Sequence, residues 1–318
     1  MLLTLNVILK TEKQMKPFLK QSVPFLLLFL TCTLSAQNTE ASFKLLKTEI
    51  QKGKAGSFSY NSWNELAAVI NETKLDSTSQ KKIDYLIPVY QAGINSQNTT
   101  VRQFTVEVLI KSLGKHAVLT RKAIERLQHF RRADFTEATR LDLKMTLNAV
   151  SNNKGDLAKL TAFACGRDCI ETLENEMSAK SLNKQDQKDF RLALIRAGDG
   201  RLEPKLLKSA KEQVVNDRFV YTLTNDLTYT RSKVIFDYLL ELILSDEKKC
   251  TSANNDNPEA MICAYRLIEK VAPYINEFPA KVNAYNELET NDYAKLLSEV
   301  RDWISKNKST YLLNTEIY

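Results

Sequence analysis

Glycine and proline are both scarce in this chain of 318 residues, which contains eight glycines and seven prolines. Together they make up about 5% of the residues, whereas an average protein contains about 12%. Tight hairpins and phosphate-binding loops need glycine where the backbone takes a positive φ or approaches a ligand closely. Neither GxxxxGK nor GxGxxG occurs in the sequence. The composition therefore argues against a sheet-rich fold and against the common nucleotide-binding loops.

Histidine is rarer still, and this limits the catalytic and metal chemistry of the chain. The two histidines, His116 and His129, lie thirteen residues apart on one predicted helix. Thirteen steps of about 100° rotate the side chain by about 220°, so the two imidazoles point to different faces of the helix. They cannot share a metal ion or a catalytic role there. Since HExxH is also absent, we expect no metal, no cofactor and no Ser–His or Cys–His catalytic pair.

Helix-forming residues dominate what the chain does contain. It is 43% hydrophobic and 26% charged, and it is rich in Leu, Lys, Ala and Glu. After residue 37, apolar residues recur at intervals of three and four, and the glycines fall between these periodic segments. The pattern predicts thirteen helices and almost no strand, with the helices near 41–52, 59–73, 79–92, 98–113, 116–130, 135–150, 156–164, 168–179, 184–197, 203–214, 231–247, 258–276 and 291–307.

Two kinds of helix alternate in this pattern. The helix predicted at 116–130 has one apolar side and leaves Arg121 and Lys122 on the other, whereas those at 98–113 and 231–247 are apolar on both sides. In a stack of helical hairpins, an inner helix is covered on both sides because it touches its own partner and the next hairpin. We therefore predict an all-α fold, an α–α superhelix of stacked helical hairpins, as one domain over residues 37–318.

One segment departs from the helical pattern. Residues 217–230 are dense in β-branched and aromatic side chains, which alternate from Phe219 to Thr224. Such residues have poor helix propensity and favour extended backbone. We therefore expect a short extended segment near 217–230, or a hairpin that turns at residues 225–226, as readily as a helix.

The N-terminal residues have the order of zones of a secretory signal peptide. An apolar run at 23–30 follows two lysines and is followed by small residues up to Ala36. Met15 opens the charged zone, so we expect it to be the true start and residues 1–14 to be an upstream extension. We predict cleavage after Ala36 and export, to the periplasm or as a secreted protein.

Two other interpretations of this region have less support. An uncleaved anchor would need about 20 apolar residues, more than the run provides. A lipoprotein signal would use Cys32, but Thr31 occupies a position that is normally Gly, Ala or Ser. Removal of residues 1–36 takes away four lysines and one glutamate, so the net charge of +7 falls to about +4. We therefore expect no nucleic-acid partner and no stable membrane span.

One stretch resembles a known repeat family. In residues 190–207 an apolar helix ends in Gly198-Asp199, Arg201 follows one residue later, and Pro204 opens the second helix. Gly198 can take the left-handed conformation at a helix end, Asp199 can cap the segment after it, and Pro204 suits a first helical turn. The stretch is similar to a HEAT-like helical repeat. This resemblance implies a scaffold that presents a curved surface to a partner protein, and it implies no catalytic residues.

Four cysteines remain after removal of the signal, and an even number in an exported chain first indicates disulfides. We predict local pairs, Cys250 with Cys263 across a helical hairpin and Cys165 with Cys169 across the bend at 166–168. A zinc site would need all four thiolates at one point, although the two pairs are about eighty residues apart. A redox dithiol would need a CxxC spacing in a βαβ unit, and neither is present.

Basic residues form the densest charge cluster, which Glu125 alone opposes locally. A solvated helix face explains such a cluster, and the functional alternative is docking to an acidic protein or an anionic membrane surface. Tyr229 and Arg231 form a second candidate surface, since both residue types are enriched in interface hot spots, although Tyr229 could instead pack against the next hairpin. The cluster consists of Lys111, Lys115, Arg121, Lys122, Arg126, Arg131 and Arg132.

These observations lead to two functional hypotheses. The first is an exported, non-enzymatic helical scaffold that binds another protein or organises an envelope assembly. The second is an envelope enzyme or enzyme subunit with a carboxylate, Tyr and Arg site in the concave surface or near 217–231. Two clustered carboxylates with raised pKa values would favour the enzyme, and a groove with aromatic and arginine side chains would favour the binding protein.

Overall fold

The fold is described from a computed structural model, which defines residues 80–114, 117–179, 182–252, 259–283, 285 and 287–318. The predicted signal peptide and the helices predicted near 41–52 and 59–73 lie outside these residues. Lys115 and His116 lie outside them as well.

The described chain is mostly helical, which confirms the predicted all-α class. One π-helical turn lies at Phe219–Leu223, and two short antiparallel strands, β1 (Lys248–Cys250) and β2 (Met261–Ile262), pair with each other. The α-helices are α1 (Gln80–Asn95), α2 (Thr99–Lys111), α3 (Ala117–Leu127), α4 (Glu137–Ala149), α5 (Lys154–Cys165), α6 (Ile170–Ala179), α7 (Lys184–Ala197), α8 (Glu203–Lys211), α9 (Thr224–Tyr229), α10 (Lys233–Ile243), α11 (Ala264–Val271) and α12 (Tyr293–Asn307).

The helix starts follow local sequence signals. Asn98, Thr136, Asn183 and Ser232 precede α2, α4, α7 and α10, and each side chain accepts a hydrogen bond from a backbone N–H of the first turn. These oxygens satisfy donors that the helix itself leaves unpaired. The observed bounds of α1 to α8 accordingly lie within three residues of the predicted ones.

Residues 217–230 were predicted to be extended as readily as helical, and the extended alternative is wrong. The π-helical turn at Phe219–Leu223 continues directly into α9. The Thr224 hydroxyl donates to the Phe219 carbonyl at 3.2 Å, so the threonine supports the wide turn. Phe219 and Leu227 are buried. Burial of these side chains in the tertiary structure outweighs the poor helix propensity of the segment.

The helix predicted at 258–276 is replaced at its start by a strand. Residues of β2 pair with β1, and α11 begins only at Ala264. The predicted disulfide between Cys250 and Cys263 is present and joins the end of β1 to the residue that follows β2. The strand pairing and the disulfide together hold residues 261–263 outside the helix, which therefore begins at Ala264.

The predicted bond between Cys165 and Cys169 is not formed, and both residues are buried free thiols. The bend between them forms as predicted, with Gly166 at a φ of 62°, and it brings the two sulfurs into hydrogen-bonding contact. Carbonyl acceptors also lie within reach of both thiols, Arg140 O at 3.7 Å from Cys165 Sγ and Gly166 O at 3.0 Å from Cys169 Sγ, and each single S–H proton bonds either to its carbonyl or to the other sulfur. The pair is therefore satisfied in its reduced form.

Two hydrophobic clusters form the core, and they meet at α7. Phe163 and Phe190 belong to the first cluster, and Phe236 belongs to the second. Leu194 packs in the first cluster, whereas its neighbour Ile195 packs in the second. The C-terminal turn of α7 therefore lies at the seam between the two clusters.

The end of α7 has the corner expected from its sequence. Gly198 has a φ of 100°, and the Asp199 N–H donates back to Leu194 O at 2.9 Å. Pro204 lies in the first turn of α8. The roles predicted for Gly198 and Pro204 are confirmed, whereas the Asp199 carboxylate accepts from Arg201 and closes a turn before α8.

Loss of the Cys250–Cys263 bond should destabilise the protein. The two residues are 13 apart in sequence, and the loop-entropy model assigns about 3 kcal/mol to a loop of this length. We expect the Cys250→Ser/Cys263→Ser variant to lose about 3 kcal/mol of the free energy of unfolding in urea denaturation. Dithiothreitol should lower the stability of the wild type to the same level and leave the variant unchanged. A wild type that is insensitive to reductant would contradict the disulfide.

Candidate functional site: an arginine-lined cleft

The basic residues of the predicted cluster do not form one continuous patch. Some lie on the surface in ion pairs, one stacks on an aromatic ring and one lines a cleft. Arg121 and Lys122, exposed on α3, both lie close to Glu125, at 3.9 Å and 2.8 Å. Lys111 forms an ion pair with Glu107 at 2.9 Å on α2. Pairs with this i,i+3 or i,i+4 spacing on a helix surface are weak and are screened by salt. They reduce the positive charge of the cluster without removing it.

Arg126 lies beside this exposed face and stacks on an aromatic ring. Its guanidinium carbon is 5.5 Å from the centre of the Tyr90 ring, and that ring lies 6.0 Å from His129 and 6.3 Å from Phe130. The Nε atom of Arg126 is buried and finds no hydrogen-bond partner in the part of the chain that the structure describes. Cation–π contact with Tyr90 holds this arginine in place.

Arg132 lies apart from the other basic residues of the cluster. Its side chain lines a cleft between the two hydrophobic clusters of the core. Its guanidinium packs over Gly166, where a β-carbon would collide with Nη2. The cleft is bounded by α5, α7, the link between α9 and α10, and the segment 312–318. The fold thus brings Arg132 together with Tyr229 and Arg231, which the sequence assigned to a separate surface.

Arg196, in the last turn of α7, lies at the centre of the cleft. Its Nη1 donates to Tyr229 O at 2.8 Å, and its Nη2 donates to Ile317 O at 2.8 Å and to Thr315 O at 3.4 Å. The guanidinium carbon lies 5.4 Å from the centre of the Phe163 ring. One side chain therefore joins the end of α9 to the segment 312–318.

Arg231 lies between α9 and α10 and binds the same segment. Its φ is 51°, a value that residues other than glycine rarely adopt, and it is only 8% exposed. Nε donates to Asn314 O at 3.2 Å, Nη2 donates to Tyr318 O at 2.7 Å, and Nη1 donates to Thr228 O. The guanidinium carbon also lies 3.5 Å from the centre of the Tyr274 ring. These contacts compensate for the unusual backbone conformation.

An aromatic cluster closes the inner side of the cleft. The Tyr318 ring lies 5.6 Å from Phe163 and 5.3 Å from Tyr229, centre to centre. Tyr229 is buried, and its hydroxyl donates to Lys159 O at 2.6 Å. Burial raises the pKa of both tyrosines above the ordinary value. Tyr229 thus packs inside the protein, as the packing alternative predicted, and it is not an exposed interface residue.

None of the arginines of the cleft forms an ion pair with an aspartate or glutamate side chain of the described residues. Within the described ranges, no acidic side chain lies at salt-bridge distance from Arg132, Arg196 or Arg231. Burial lowers the pKa of Arg196 to about 10, and burial together with repulsion from Arg196 lowers the pKa of Arg231 to about 9. Both values lie above 7, so both side chains stay cationic at neutral pH.

A cavity of about 220 Å³ remains beside these arginines while the segment 312–318 is in place. Arg132, Arg196, Arg231 and Lys233 line it, and Glu203 is the single carboxylate among its lining residues. The wall also includes Ser232, the N-cap of α10, so the positive end of a helix dipole lies at the cavity. The cavity is therefore strongly electropositive.

These groups are suited to recognition of negative charge. General acid–base catalysis needs groups that titrate near the working pH, whereas the pKa is about 10 for Arg196 and about 9 for Arg231, and burial raises that of Tyr229. Among the residues that the structure defines, no three His, Cys, Asp or Glu side chains lie close enough to hold a metal ion. None of the helices in those ranges has both the length and the apolar character needed to cross a bilayer.

The sequence analysis missed Arg196, although its surroundings carry a signal. Arg196 lies between Ile195 and Ala197 in an otherwise apolar helix end, two residues before Gly198. A cation at such a position must find acceptors inside the protein. The segment 312–318 carries no helical or strand periodicity, so the sequence offered no reason to place it in the same cleft.

Comparisons of the chain with protein-family models, with curated protein sequences and with solved structures find no match. The function is therefore argued from the surface of α3 and the cleft alone.

Replacing two neighbouring tyrosines by phenylalanine should separate the roles of their hydroxyl groups. Tyr229→Phe removes the bond to the Lys159 carbonyl, so we expect a loss of about 1 kcal/mol in the free energy of unfolding. The Tyr318 hydroxyl lies near Gln128 but makes no well-formed hydrogen bond within the described residues. Tyr318→Phe should therefore leave the stability unchanged or raise it. Equal losses in parallel urea denaturation would contradict this packing.

Proposed function

We propose that this chain is an exported, non-enzymatic helical scaffold that binds an acidic partner protein through the exposed face of α3. The observation that carries the proposal is the composition of that face. The side chains of Arg121 and Lys122 are 57% and 40% exposed, and Val118 beside them is 41% exposed. The stack of Arg126 on Tyr90 lies at the edge of this face.

Charge and chemistry both favour a protein partner for this face. Its cations outnumber Glu107 and Glu125, the two carboxylates that pair with them. An excess of one charge speeds association with a surface of the opposite charge and selects against like-charged partners. Arginine and tyrosine beside an apolar side chain are typical of interface hot spots. The cations of α3 are Arg121, Lys122 and Arg126, and the flanking cations are Lys111 at the end of α2 and Arg131 after α3.

The packing order of the helices supports the scaffold part of the proposal. Helix α2 contacts α1, α3 and α4, and α5 contacts α3, α4 and α7. Contacts of a helix with its neighbour and with the next helix but one are expected when hairpins stack in a HEAT-like α–α superhelix. The corner at Gly198 and Pro204 adds to this support.

The disulfide and the chemistry of the cleft support the remaining parts. Disulfides persist in oxidising compartments, so the Cys250–Cys263 bond favours export. Tyrosine and arginine meet in the cleft, but Glu203 is the one carboxylate that lines its cavity. Two clustered carboxylates with raised pKa values would favour the envelope-enzyme hypothesis, so a cleft lined by one carboxylate and three arginines favours binding over catalysis.

Charge reversal on α3 should abolish partner binding. We expect Arg121→Glu/Lys122→Glu to weaken capture of an acidic protein from the envelope fraction at least tenfold, because the reversed face repels it. Lys205→Glu/Lys208→Glu, the same charge change at exposed positions of α8, is the matched control and should capture that protein as the wild type does. Quantitative mass spectrometry of the three captured sets measures the effect. Identical sets from all three proteins would contradict the proposal, as would binding to anionic vesicles with no acidic protein captured.

Export predicts a defined mature N-terminus. When the full-length chain is produced in a secreting bacterial host, we expect the exported protein to begin at Gln37, since the small residues before it suit signal peptidase. N-terminal sequencing of the envelope fraction measures this. Ala36→Leu is the control and should block cleavage. Exported protein that still begins at Met15 would contradict the prediction.

A further inference from the structure

We propose that the cavity of the arginine-lined cleft binds a small oxyanion group, such as a phosphate or a carboxylate, between Arg132 and Arg196. This site lies apart from the α3 face, so it goes beyond the proposed function and does not depend on it. Three properties of the cavity favour an oxyanion: its unused hydrogen-bond donors, its uncompensated charge and its size.

Hydrogen-bond donors remain unused at the cavity wall. Arg196 uses Nη1 and Nη2 for backbone carbonyls of the described chain, while its Nε has no acceptor there. None of the Arg132 side-chain nitrogens has an acceptor among the described residues either. The Ser232 oxygen accepts from the Ile235 N–H at 3.4 Å, which leaves its hydroxyl proton free to donate. An oxyanion offers the acceptors that these groups lack.

The charge of the cavity is also uncompensated. Lys233 already pairs with Asp237 at 2.9 Å, and Glu203 lies beyond salt-bridge distance from the arginines although it lines the same wall. Arg132 and Arg196 therefore share the cavity with no acidic side chain at salt-bridge distance among the described residues, whereas Arg231 is already bound to Tyr318 O at 2.7 Å. Buried cations are stabilised when a hydrogen-bonded anion accompanies them.

The dimensions of the cavity limit what enters it. Pockets that hold drug-sized ligands measure about 300–1,000 Å³, and this cavity measures about 220 Å³. It has room for an oxyanion on a small organic group and not for a nucleotide. The position of Ser232 at the start of α10, a helix of 11 residues, adds the favourable end of a helix dipole to the three arginines.

Two neighbouring arginines provide a matched test. Arg132→Gln removes a guanidinium that lines the cavity, while the Arg132 backbone N–H keeps its bond to Glu316 O at 2.9 Å. Arg131→Gln makes the same change at an exposed neighbour outside the cavity. Isothermal titration calorimetry with inorganic phosphate, at constant ionic strength in chloride buffer, compares both variants with the wild type. Titrations with acetate and citrate distinguish a carboxylate ligand from a phosphate.

We expect saturable binding of at least one of these anions to the wild type and to Arg131→Gln, with one site per chain. Arg132→Gln should bind that anion at least tenfold more weakly, and its thermal midpoint without anion should equal or exceed that of the wild type because repulsion in the cleft is relieved. The α3 variant Arg121→Glu/Lys122→Glu should retain anion binding, which separates this site from the proposed partner face.

Three results would overturn the proposal. The first is the absence of saturable binding of all three anions to the wild type. The second is an equal loss of affinity in Arg131→Gln and Arg132→Gln, which would indicate general attraction by surface charge. The third is unchanged affinity in Arg132→Gln, which would place the bound anion elsewhere on the protein.

Discussion

Two guanidinium groups, those of the half-buried Arg196 and the buried Arg231, connect the two hydrophobic clusters of this protein. Removing a cation from water is costly unless protein acceptors replace the lost hydration. Here backbone carbonyls supply the replacement: those of Thr228 and Tyr229 at the end of α9, and those of the segment 312–318. The lowered pKa values of both arginines show that the replacement is incomplete. Both arginines need these acceptors. The relative positions of the ends of α7 and α9 and of the segment 312–318 are therefore fixed.

This arrangement separates the cations of the protein into two groups with different properties. Those on α3 are exposed, lie beside carboxylates and act over distance through their excess charge. Those in the cleft are enclosed, form no ion pair with an acidic side chain of the described residues and act at hydrogen-bond distance. An outward face of this kind suits a macromolecular partner, whereas an enclosed cavity suits a small ligand. The proposed scaffold and the proposed anion site can therefore exist on one chain without competing for the same residues.

The parts of the fold that could be predicted from sequence are those governed by local interactions. The bounds of α1 to α8 follow capping side chains and apolar periodicity, and the corner at Gly198 follows the freedom of glycine at positive φ. The Cys250–Cys263 bond followed from proximity in sequence. The segment 217–230 could not be predicted in this way, because burial of Phe219 and Leu227 decides its helical conformation. The carbonyl acceptors of Cys165 and Cys169 likewise appear only in the folded chain.

The helical class, most helix ends, one disulfide and the many cations near residues 111–132 follow from the amino-acid sequence alone. Which of those cations act together depends on how the helices pack. Arg132 joins Arg196, Arg231 and the segment 312–318 because α5 and α7 pack against each other and the C-terminal segment returns to their seam. Such a site is built from residues far apart in the chain, and its positions are set by packing and buried hydrogen bonds. Local propensity and spacing contain no information about that packing.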